Sequence, residues 1–286
     1  MNPALAAFLA WLRLDRGLSE NTIAAYANDV GDFQKRDLPM DASGAKAFLE
    51  ALRREGLSDA SLSRKTASLR TYFRFHRQQM KSNIRLPELE QIQAPRKLPK
   101  LLSREEMEQI LSVPDRKTAE GKRDSAALEL LYSSGLRASE LTSLRPADLL
   151  GDASTLRVKG KGGKERIVPV GKNARTAIEI YLRDVYPIWN PGFALEELFL
   201  GGKERRLTRQ SLWKIVGETA VAAGLGKKIS PHMIRHSFAS HLRDAGMNLR
   251  FLQAILGHSD ISTTQIYTHV EETRLREAHQ KFHPRK

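Results

Sequence analysis

The chain has 286 residues, of which 41% are hydrophobic, and this length favours two domains over one. Lys and Arg number 47 against 33 Asp and Glu, giving a formal charge of +14, so we expect a polyanionic partner, with nucleic acid as the first candidate. The absence of cysteine excludes disulfides, thiolate nucleophiles and thiolate metal sites. No apolar run approaches the roughly 18 residues of a membrane span, and no signal-peptide pattern is present, so we expect a cytoplasmic protein without membrane partners.

Residues 1–84 are predicted to form a helical domain of four or five helices. Apolar residues recur there at helical spacing, as in Leu5, Phe8, Leu9 and Leu12, and again in Ile23, Tyr26, Val30 and Phe33. Polar capping residues indicate where helices begin, and a glycine indicates where one ends. The predicted starts are Ser19, Asp41 and Ser58–Ser61, and the predicted stop is Gly56.

The last helix of this segment, within residues 61–78, has an apolar face and a basic face. Its basic residues are Arg64, Lys65, Arg70, Arg74 and Arg77. We expect the apolar face to pack on the domain and the basic face to stay free for nucleic-acid phosphates, with Arg64 and Lys65 as candidate contacts. The alternative is a solvated amphipathic helix with no ligand.

Residues 85–100 contain three prolines and no sustained periodicity, which is typical of an interdomain linker. Residues 101–286 form the predicted second domain, which begins with a capping box at Ser103 and Glu106. Two helices interrupted near Gly135 are predicted, followed at residues 155–170 by two short strands around a glycine-rich turn. The expected fold class is therefore mainly α, with a mixed α/β second domain that holds a small antiparallel sheet.

Chemistry-bearing residues concentrate in the second domain, and Tyr267 is the candidate nucleophile. A free phenol has a pKa near 10, so only about one part in a thousand is ionised at pH 7 and it needs a base or a positive field. Charge accumulates on the non-bridging oxygens when a phosphodiester is attacked, and planar guanidinium groups match that geometry. Arg137 and Arg235 meet this requirement if the fold brings them together, although Arg137 could instead cap a helix end.

Two histidines and a lysine complete the candidate set. His232 and Arg235 are three residues apart, so on a helix they share a face. His258 can donate a hydrogen bond or accept a proton. Lys161 lies in the glycine-rich turn, from which an ammonium could protonate a leaving oxygen. No metal site is predicted, because His232 and His236 lack the glutamate of an HExxH motif and a third ligand.

These motifs resemble the active site of the tyrosine recombinases, a part of the phage integrase family, and most closely that of the Xer recombinases. The matching segments are SGLRASEL, GKGGKER, PHMIRHSFASHL, LGH and ISTTQIYTHV. The resemblance covers almost the whole chain. It implies an N-terminal SAM-like core-binding domain followed by a catalytic domain, together the tyrosine recombinase fold.

The resemblance also implies the chemistry. Tyr267 would attack a DNA phosphate to give a 3′-phosphotyrosyl link and a free 5′-hydroxyl, without any cofactor. Arg137, Arg235 and His258 would hold the non-bridging oxygens, Lys161 would act as general acid, and His232 would accept or donate a proton. Glu140 and Asp260 could orient Arg137 and His258, or could form only surface salt bridges. Lys164 is a further candidate DNA contact.

The implied function is resolution of chromosome or plasmid dimers by site-specific recombination. The resemblance implies double-stranded DNA as partner and a homo- or hetero-tetramer on two DNA sites, with a second Xer recombinase and a DNA translocase as further candidates. The C-terminal segment at 270–282 is expected to form a helix that packs on a neighbour or on its own chain. The alternatives are a phage or mobile-element integrase, a type IB topoisomerase, and a non-catalytic DNA-binding architectural protein.

Overall fold

The computed structural model describes residues 2–16, 18, 20–80, 101–160, 165–257 and 269–285, and it describes side chains in the last range from residue 274 onwards. The chain divides into two compact units, Met1–Lys97 and Leu98–Lys286. The predicted domain bounds of 1–84 and 101–286 stay a prediction, since the linker proposed at 85–100 lies outside the described residues. No described helix is both long and apolar enough to span a membrane.

The described part of the first unit consists of four helices: α1 Pro3–Leu14, α2 Glu20–Gln34, α3 Ala42–Arg54 and α4 Asp59–Gln79. Two predicted capping residues, Asp41 and Ser58, explain where α3 and α4 begin. The Asp41 carboxylate accepts hydrogen bonds from the backbone N–H groups of Ser43 and Gly44 at 2.8 and 3.0 Å, and Ser58 caps α4. Gly56 follows α3 with φ +84°, a left-handed conformation that suits glycine. The predicted cap Ser19 lies outside the described residues.

Aromatic side chains from α4 join two clusters in the core of this unit. Phe73 packs edge-on against Phe33, with ring centroids 6.0 Å apart. Tyr72 packs against Phe8 at 5.0 Å on the other side of the helix. Aromatic pairs in such edge-to-face geometry stabilise beyond their buried area, so α4 is the central helix of the first unit.

The prediction that Lys65 lies on a free basic face is wrong. Its side chain is only 8% exposed, and its ammonium lies 3.1 Å from Asp29 and 2.9 Å from Asp32. Asp29 on α2 is itself buried, and a buried carboxylate requires countercharge and hydrogen bonds. Arg64 also pairs with Asp29 but keeps 46% of its side chain exposed. The use of Arg64 as a DNA contact stays a prediction.

The second unit is built from helices around two small sheets. Its helices are α5 Arg104–Ser112, α6 Ala119–Ser134, α7 Ala138–Thr142, α8 Lys172–Asp184, α9 Tyr186–Trp189, α10 Arg209–Ala222, α11 Pro231–Asp244, α12 Leu249–Leu256 and α13 His269–Phe282. Its strands are β1 Leu149–Leu150, β2 Thr155–Lys159, β3 Glu165–Pro169, β4 Leu200–Gly202 and β5 Arg205–Arg206.

The predicted pair of strands is confirmed as β2 and β3, which are antiparallel with Arg157 opposite Ile167. The sequence analysis missed β1, which extends this sheet, and the separate β4–β5 pair. Strands of two or three residues are too short to show a periodic pattern. The turn at 161–164, which carries Lys161 and Lys164, lies outside the described residues.

The predicted interruption near Gly135 is confirmed. Helix α6 ends at Ser134, Gly135 adopts φ +58°, and α7 begins at Ala138. A Cβ atom at Gly135 would lie 2.4 Å from the ring of Phe238 on α11, so glycine is needed both for the left-handed turn and for the close approach of α11. Arg137 lies two residues after this glycine, immediately before α7.

The C-terminal segment forms the predicted helix, α13, and it packs on its own chain. Leu275 and His279 are buried, and the ring Nε2 of His279 donates a hydrogen bond to the carbonyl of Ser133 at 2.7 Å. Beyond the helix, Arg285 donates to the buried carboxylate of Glu129 at 2.7 Å. The monomer thus holds its own C-terminal helix against α6.

Candidate active site

The structure describes three of the six predicted catalytic residues: Arg137, His232 and Arg235. The other three lie outside the described residues, as do the predicted orienting and DNA-contacting side chains of the same segments. These residues are Lys161, His258, Tyr267, Asp260 and Lys164. Their roles stay predictions, and the site is built here from the residues that surround Arg137 and Arg235.

Arg137 is the N-cap residue of α7, and Glu140 binds both its backbone and its side chain. The backbone N–H of Arg137 donates to Oε2 of Glu140 at 2.8 Å, and Nη1 donates to Oε1 at 2.7 Å. The side chain remains 37% exposed. Arg137 therefore has one edge fixed by a carboxylate while part of its guanidinium group faces solvent.

Arg235 lies on α11 and is only 8% exposed. Its Nη1 donates to the carbonyl of Gly135 at 2.6 Å and its Nη2 to the carbonyl of Leu256 at 2.6 Å. Nη1 also lies 3.6 Å from Oε2 of Glu140. The guanidinium thus joins the end of α6 to the end of α12, and it shares a carboxylate with Arg137.

Arg166 on β3 is the functional-site residue that the sequence analysis missed. It is buried, and its Nη1 and Nη2 donate to the two oxygens of Glu140 at 2.9 Å each. Its Nε donates to the carbonyl of Ile255 at 2.8 Å. The alternation of inward and outward side chains along β3 could have indicated this residue, because Arg166 shares the inward face with Val168. A buried arginine requires an acidic partner.

Arg137, Arg166 and Arg235, here called the arginine cluster, converge on one carboxylate. Burial by itself would raise the pKa of Glu140, but the hydrogen bonds and charge of Arg166, followed by the hydrogen bonds from Arg137, outweigh it and lower the pKa to about 2. Glu140 is therefore ionised at neutral pH. The alternative that it forms only a surface salt bridge is wrong, since its side chain is 4% exposed.

The arginine cluster carries more positive charge than Glu140 can neutralise. Burial, and then the charge of Arg137, lower the pKa of Arg235 to about 10 even though Glu140 opposes this shift. Three cations around one anion, counted among the described residues, leave an excess of positive charge at a partly exposed position. Such a site favours a bound anion, and guanidinium groups suit phosphate oxygens.

His232 lies one helical turn before Arg235 on α11 but is exposed, whereas Arg235 is buried. Its ring packs edge-on against Trp213 of α10, with centroids 6.3 Å apart. The imidazole is thus held at the surface, on the helix that carries Arg235. Among the described residues, no group of three His, Asp or Glu side chains could hold a metal ion.

The end of α12 is fixed by two members of the arginine cluster. Arg166 binds the carbonyl of Ile255 and Arg235 binds that of Leu256. Gly257 then ends the helix with φ +65°. A Cβ atom at this glycine would lie 3.1 to 3.3 Å from the side chain of Arg166. The two arginines therefore hold the backbone carbonyls at the end of α12, the helix that directly precedes His258 in the sequence.

Comparison with known proteins assigns the chain to a family. A model of the phage integrase family matches residues 100–274, and a model of the phage integrase N-terminal SAM-like domain matches residues 5–80. The chain belongs to the phage integrase family. It is a tyrosine recombinase of the Xer type, and so a DNA strand-exchange enzyme with a SAM-like first domain.

Individual relatives of this tyrosine recombinase agree over the full length. It is 41% identical to tyrosine recombinase XerD of Listeria monocytogenes serovar 1/2a over all of both chains. It is 38% identical to XerD of Vibrio cholerae over 97% of this chain and 95% of that protein. The solved structure of XerH site-specific recombinase bound to a palindromic difH substrate is 26% identical, with a TM-score of 0.69 over 96% of this chain and 83% of that one.

Proposed function

We propose that this tyrosine recombinase cuts and rejoins DNA at a phosphate held by Arg137, Arg235 and His258, with Tyr267 as nucleophile. The observation that carries the proposal is the arginine cluster, where two predicted phosphate ligands from different helices contact the same carboxylate. Fixed donors of this kind stabilise charge that develops in a transition state. Tyr267 would need this positive surrounding to react as a phenolate.

The proposed reaction conserves the number of phosphate ester bonds. The Tyr267 oxygen forms a bond to phosphorus, and the bond from phosphorus to the 5′ oxygen breaks. Lys161 gives a proton to this leaving oxygen, and His232 accepts the phenol proton of Tyr267 in cleavage and donates it back in the reverse reaction. The free 5′-hydroxyl of another strand can then attack the 3′-phosphotyrosyl link in the reverse reaction, so that strands are exchanged without ATP.

The proposed substrate is duplex DNA with two recombination sites, held by a homo- or hetero-tetramer in the cytoplasm. The likeness to XerD proteins and to XerH on difH DNA supports a DNA site of the Xer kind. Resolution of chromosome or plasmid dimers is the proposed role. A second Xer recombinase and a DNA translocase are the proposed partners, as the resemblance to the Xer recombinases implies.

The first experiment tests tyrosine-dependent cleavage on a duplex selected from a random library by binding to the protein. The duplex is nicked close to each candidate cleavage position, so that the short fragment with the new 5′-hydroxyl escapes and the covalent adduct accumulates. We expect a detergent-stable adduct with the wild-type protein and none with Tyr267→Phe. The control Tyr26→Phe changes a partly buried tyrosine of the first unit and should form the adduct normally.

Two outcomes would contradict the proposed cleavage, and a third would contradict the proposed role in dimer resolution. An adduct with Tyr267→Phe would exclude Tyr267 as the nucleophile. Tight binding of the selected duplex with no adduct from any protein, at any nick position, would favour the non-catalytic architectural alternative. Recombination only between two different selected sites, rather than between two copies of one site, would favour the integrase alternative.

A further inference from the structure

We infer that Arg166 is a positioning residue for strand cleavage, which acts by holding Glu140 and the end of α12 in the geometry that the phosphate ligands need. This inference rests on the proposed function, because it concerns how Arg137, Arg235 and His258 are aligned. Arg166 is predicted to touch no DNA. Its effect on the reaction is expected to pass through the groups that it holds.

The contacts of Arg166 join three separate elements. From β3, two nitrogens reach the two oxygens of Glu140 on α7, and the third reaches the carbonyl of Ile255 on α12. The strand begins directly after the turn that carries Lys161. One buried guanidinium therefore links β3, α7 and α12.

Bidentate binding by Arg166 fixes how Glu140 is oriented. A carboxylate held by two parallel N–H···O bonds cannot rotate freely. The orientation of Glu140 sets the position of Arg137, because the same two oxygens accept its backbone N–H and its Nη1. Removing Arg166 would leave Glu140 paired only with Arg137 and Arg235 and would break the bidentate contact that ties it to β3.

Charge alone does not explain why a third arginine is present. Arg137 and Arg235 already supply two positive charges near Glu140, and the charge of Arg166 adds to the repulsion that lowers the pKa of Arg235. Neutralising the single charge of Glu140 does not require a third cation. The distinctive contribution of Arg166 is its fixed fork geometry, which a lysine cannot reproduce.

Gly257 provides an independent observation of the same arrangement. The α12 backbone approaches Arg166 so closely that a Cβ atom at position 257 would lie 3.1 Å from its Cδ and 3.3 Å from two of its nitrogens. The contact between this helix end and the guanidinium therefore depends on the missing side chain of glycine. It occurs one residue before His258.

The test compares Arg166→Lys, which keeps the charge, with Arg166→Met, which removes it. The rate constant for adduct formation on the nicked duplex is measured at saturating protein, alongside the Kd for the same duplex. We expect both variants to cleave about 10²-fold more slowly, since small misplacement of reacting groups has effects of this size. The Kd should change little, because Arg166 is buried and its described hydrogen bonds go to Glu140 and Ile255.

A matched control is Arg123→Lys. Arg123 is equally buried, and its Nη1 also donates to a backbone carbonyl, that of Leu200, at 2.8 Å. It does not contact Glu140 or α12 in the described structure. We expect this variant to cleave at the wild-type rate once the folded fraction is taken into account.

The pH profile separates positioning from a purely structural role. Without Arg166, Glu140 loses the partner that contributes most to keeping it ionised. The cleavage rate of Arg166→Met should therefore fall at mildly acidic pH, because Glu140 then binds a proton. In a Glu140→Gln background, the further loss of rate on changing Arg166 to Met should be smaller than in the wild-type background, because part of the action of Arg166 passes through that carboxylate. Wild-type protein should show no such acidic loss.

The outcomes distinguish this inference from the proposed function. If the wild-type protein forms no adduct, the proposed function fails. If the wild-type protein forms an adduct and both Arg166 variants form it equally fast, only the inference fails. If neither Arg166 variant folds, Gly257→Ala displaces the guanidinium without removing it, and a wild-type cleavage rate in that variant would overturn the inference.

Discussion

At the scale of single residues, Glu140 decides the electrostatics of the site. The arginine cluster would be strongly self-repelling without it, since two of its members are buried. Breaking a buried ion pair by removing one partner leaves uncompensated charge that the protein interior cannot solvate. The carboxylate is thus a structural counter-ion and, by the contacts described above, the reference point for Arg137.

We expect Glu140→Gln to lower the free energy of unfolding of the second unit by about 3 to 5 kcal/mol, because it leaves buried arginines unpaired. Urea denaturation measures this change. The control Glu218→Gln removes an exposed carboxylate that is 3.7 Å from Lys214 in an i,i+4 pair, where the change should be below about 0.5 kcal/mol. Equal stability of the two variants would show that Glu140 is not needed as a counter-ion.

Lys65 offers a second test at this scale, since its burial predicts a structural role. Lys65→Ala should destabilise the first unit by about 1 to 3 kcal/mol, because it removes a partner of the buried Asp29. The control Lys46→Ala, at a side chain that is 76% exposed, should leave stability unchanged. A variant that kept its stability but lost affinity for duplex DNA would instead make Lys65 a DNA contact.

At the scale of secondary-structure elements, α13 is attached to the second unit by buried neutral histidines. The rings of His279 and His283 stack with centroids 4.6 Å apart. Burial lowers the pKa of His279 to about 4, and burial followed by the charge of its neighbour lowers the pKa of His283 to about 3. The attachment of this helix is therefore sensitive to acid.

Stability should fall as the pH decreases from about 6.5 towards 4. In that range each histidine binds a proton in the unfolded chain but not in the folded protein, which gives a slope of about 1.4 kcal/mol per pH unit for each ring. His279→Gln can still donate a hydrogen bond to Ser133 but cannot titrate. The slope of its unfolding free energy against pH should therefore be smaller by the contribution of one histidine, about 1.4 kcal/mol per pH unit. Urea denaturation at pH 7, 6 and 5 measures the slopes, with the exposed His236→Gln as control. Identical slopes in all three proteins would refute the assignment.

At the scale of the whole molecule, each unit contains its own hydrophobic core. The first is centred on the aromatic residues of α4 and the second on α6 with the surrounding helices. A unit with its own core is expected to fold alone. The formal charge of +14 extends the interaction with DNA beyond the active site, since phosphate neutralisation supplies affinity without sequence information.

We expect a fragment of residues 98–286 to fold and to bind duplex DNA with a shallower salt dependence than the full chain. Each phosphate contact contributes about −0.9 to the slope of log Kobs against log salt concentration, and the fragment lacks any contacts made by the first unit. Titrations over a range of salt concentrations measure both slopes. Equal slopes would mean that the first unit, including Arg64, does not contact phosphates.

Helices and strands were predicted correctly from the sequence where a periodic pattern of apolar residues occurs together with a glycine that ends or turns the element. Helix α4, the break at Gly135 and the β2–β3 pair all followed from such patterns. Arg137 and Arg235 were predicted as phosphate ligands because guanidinium groups match the geometry of phosphate oxygens. Strands β4 and β5 were missed because they are too short to show a period.

The partners of buried charged residues were the feature that the sequence did not reveal. Lys65 was assigned to a free face because its helix is basic, but the buried Asp29 lies on another helix, and a pattern within one helix contains no information about it. Arg166 was overlooked because its partner Glu140 is distant in sequence. Pairings of this kind depend on tertiary packing, which composition and periodicity do not specify.

The backbone of Leu102 is fastened to α11, because its N–H donates to Ser237 at 2.8 Å and its carbonyl accepts from His241 at 2.9 Å. The chain between Gln79, where α4 ends, and this anchor can span at most about 80 Å, since an extended chain advances no more than about 3.6 Å per residue. On a duplex that rises about 3.4 Å per base pair, this is about 23 base pairs. Leu102 is therefore a fixed end of this segment, and in one molecule the end of α4 cannot lie further from Leu102 than roughly the length of two turns of the double helix.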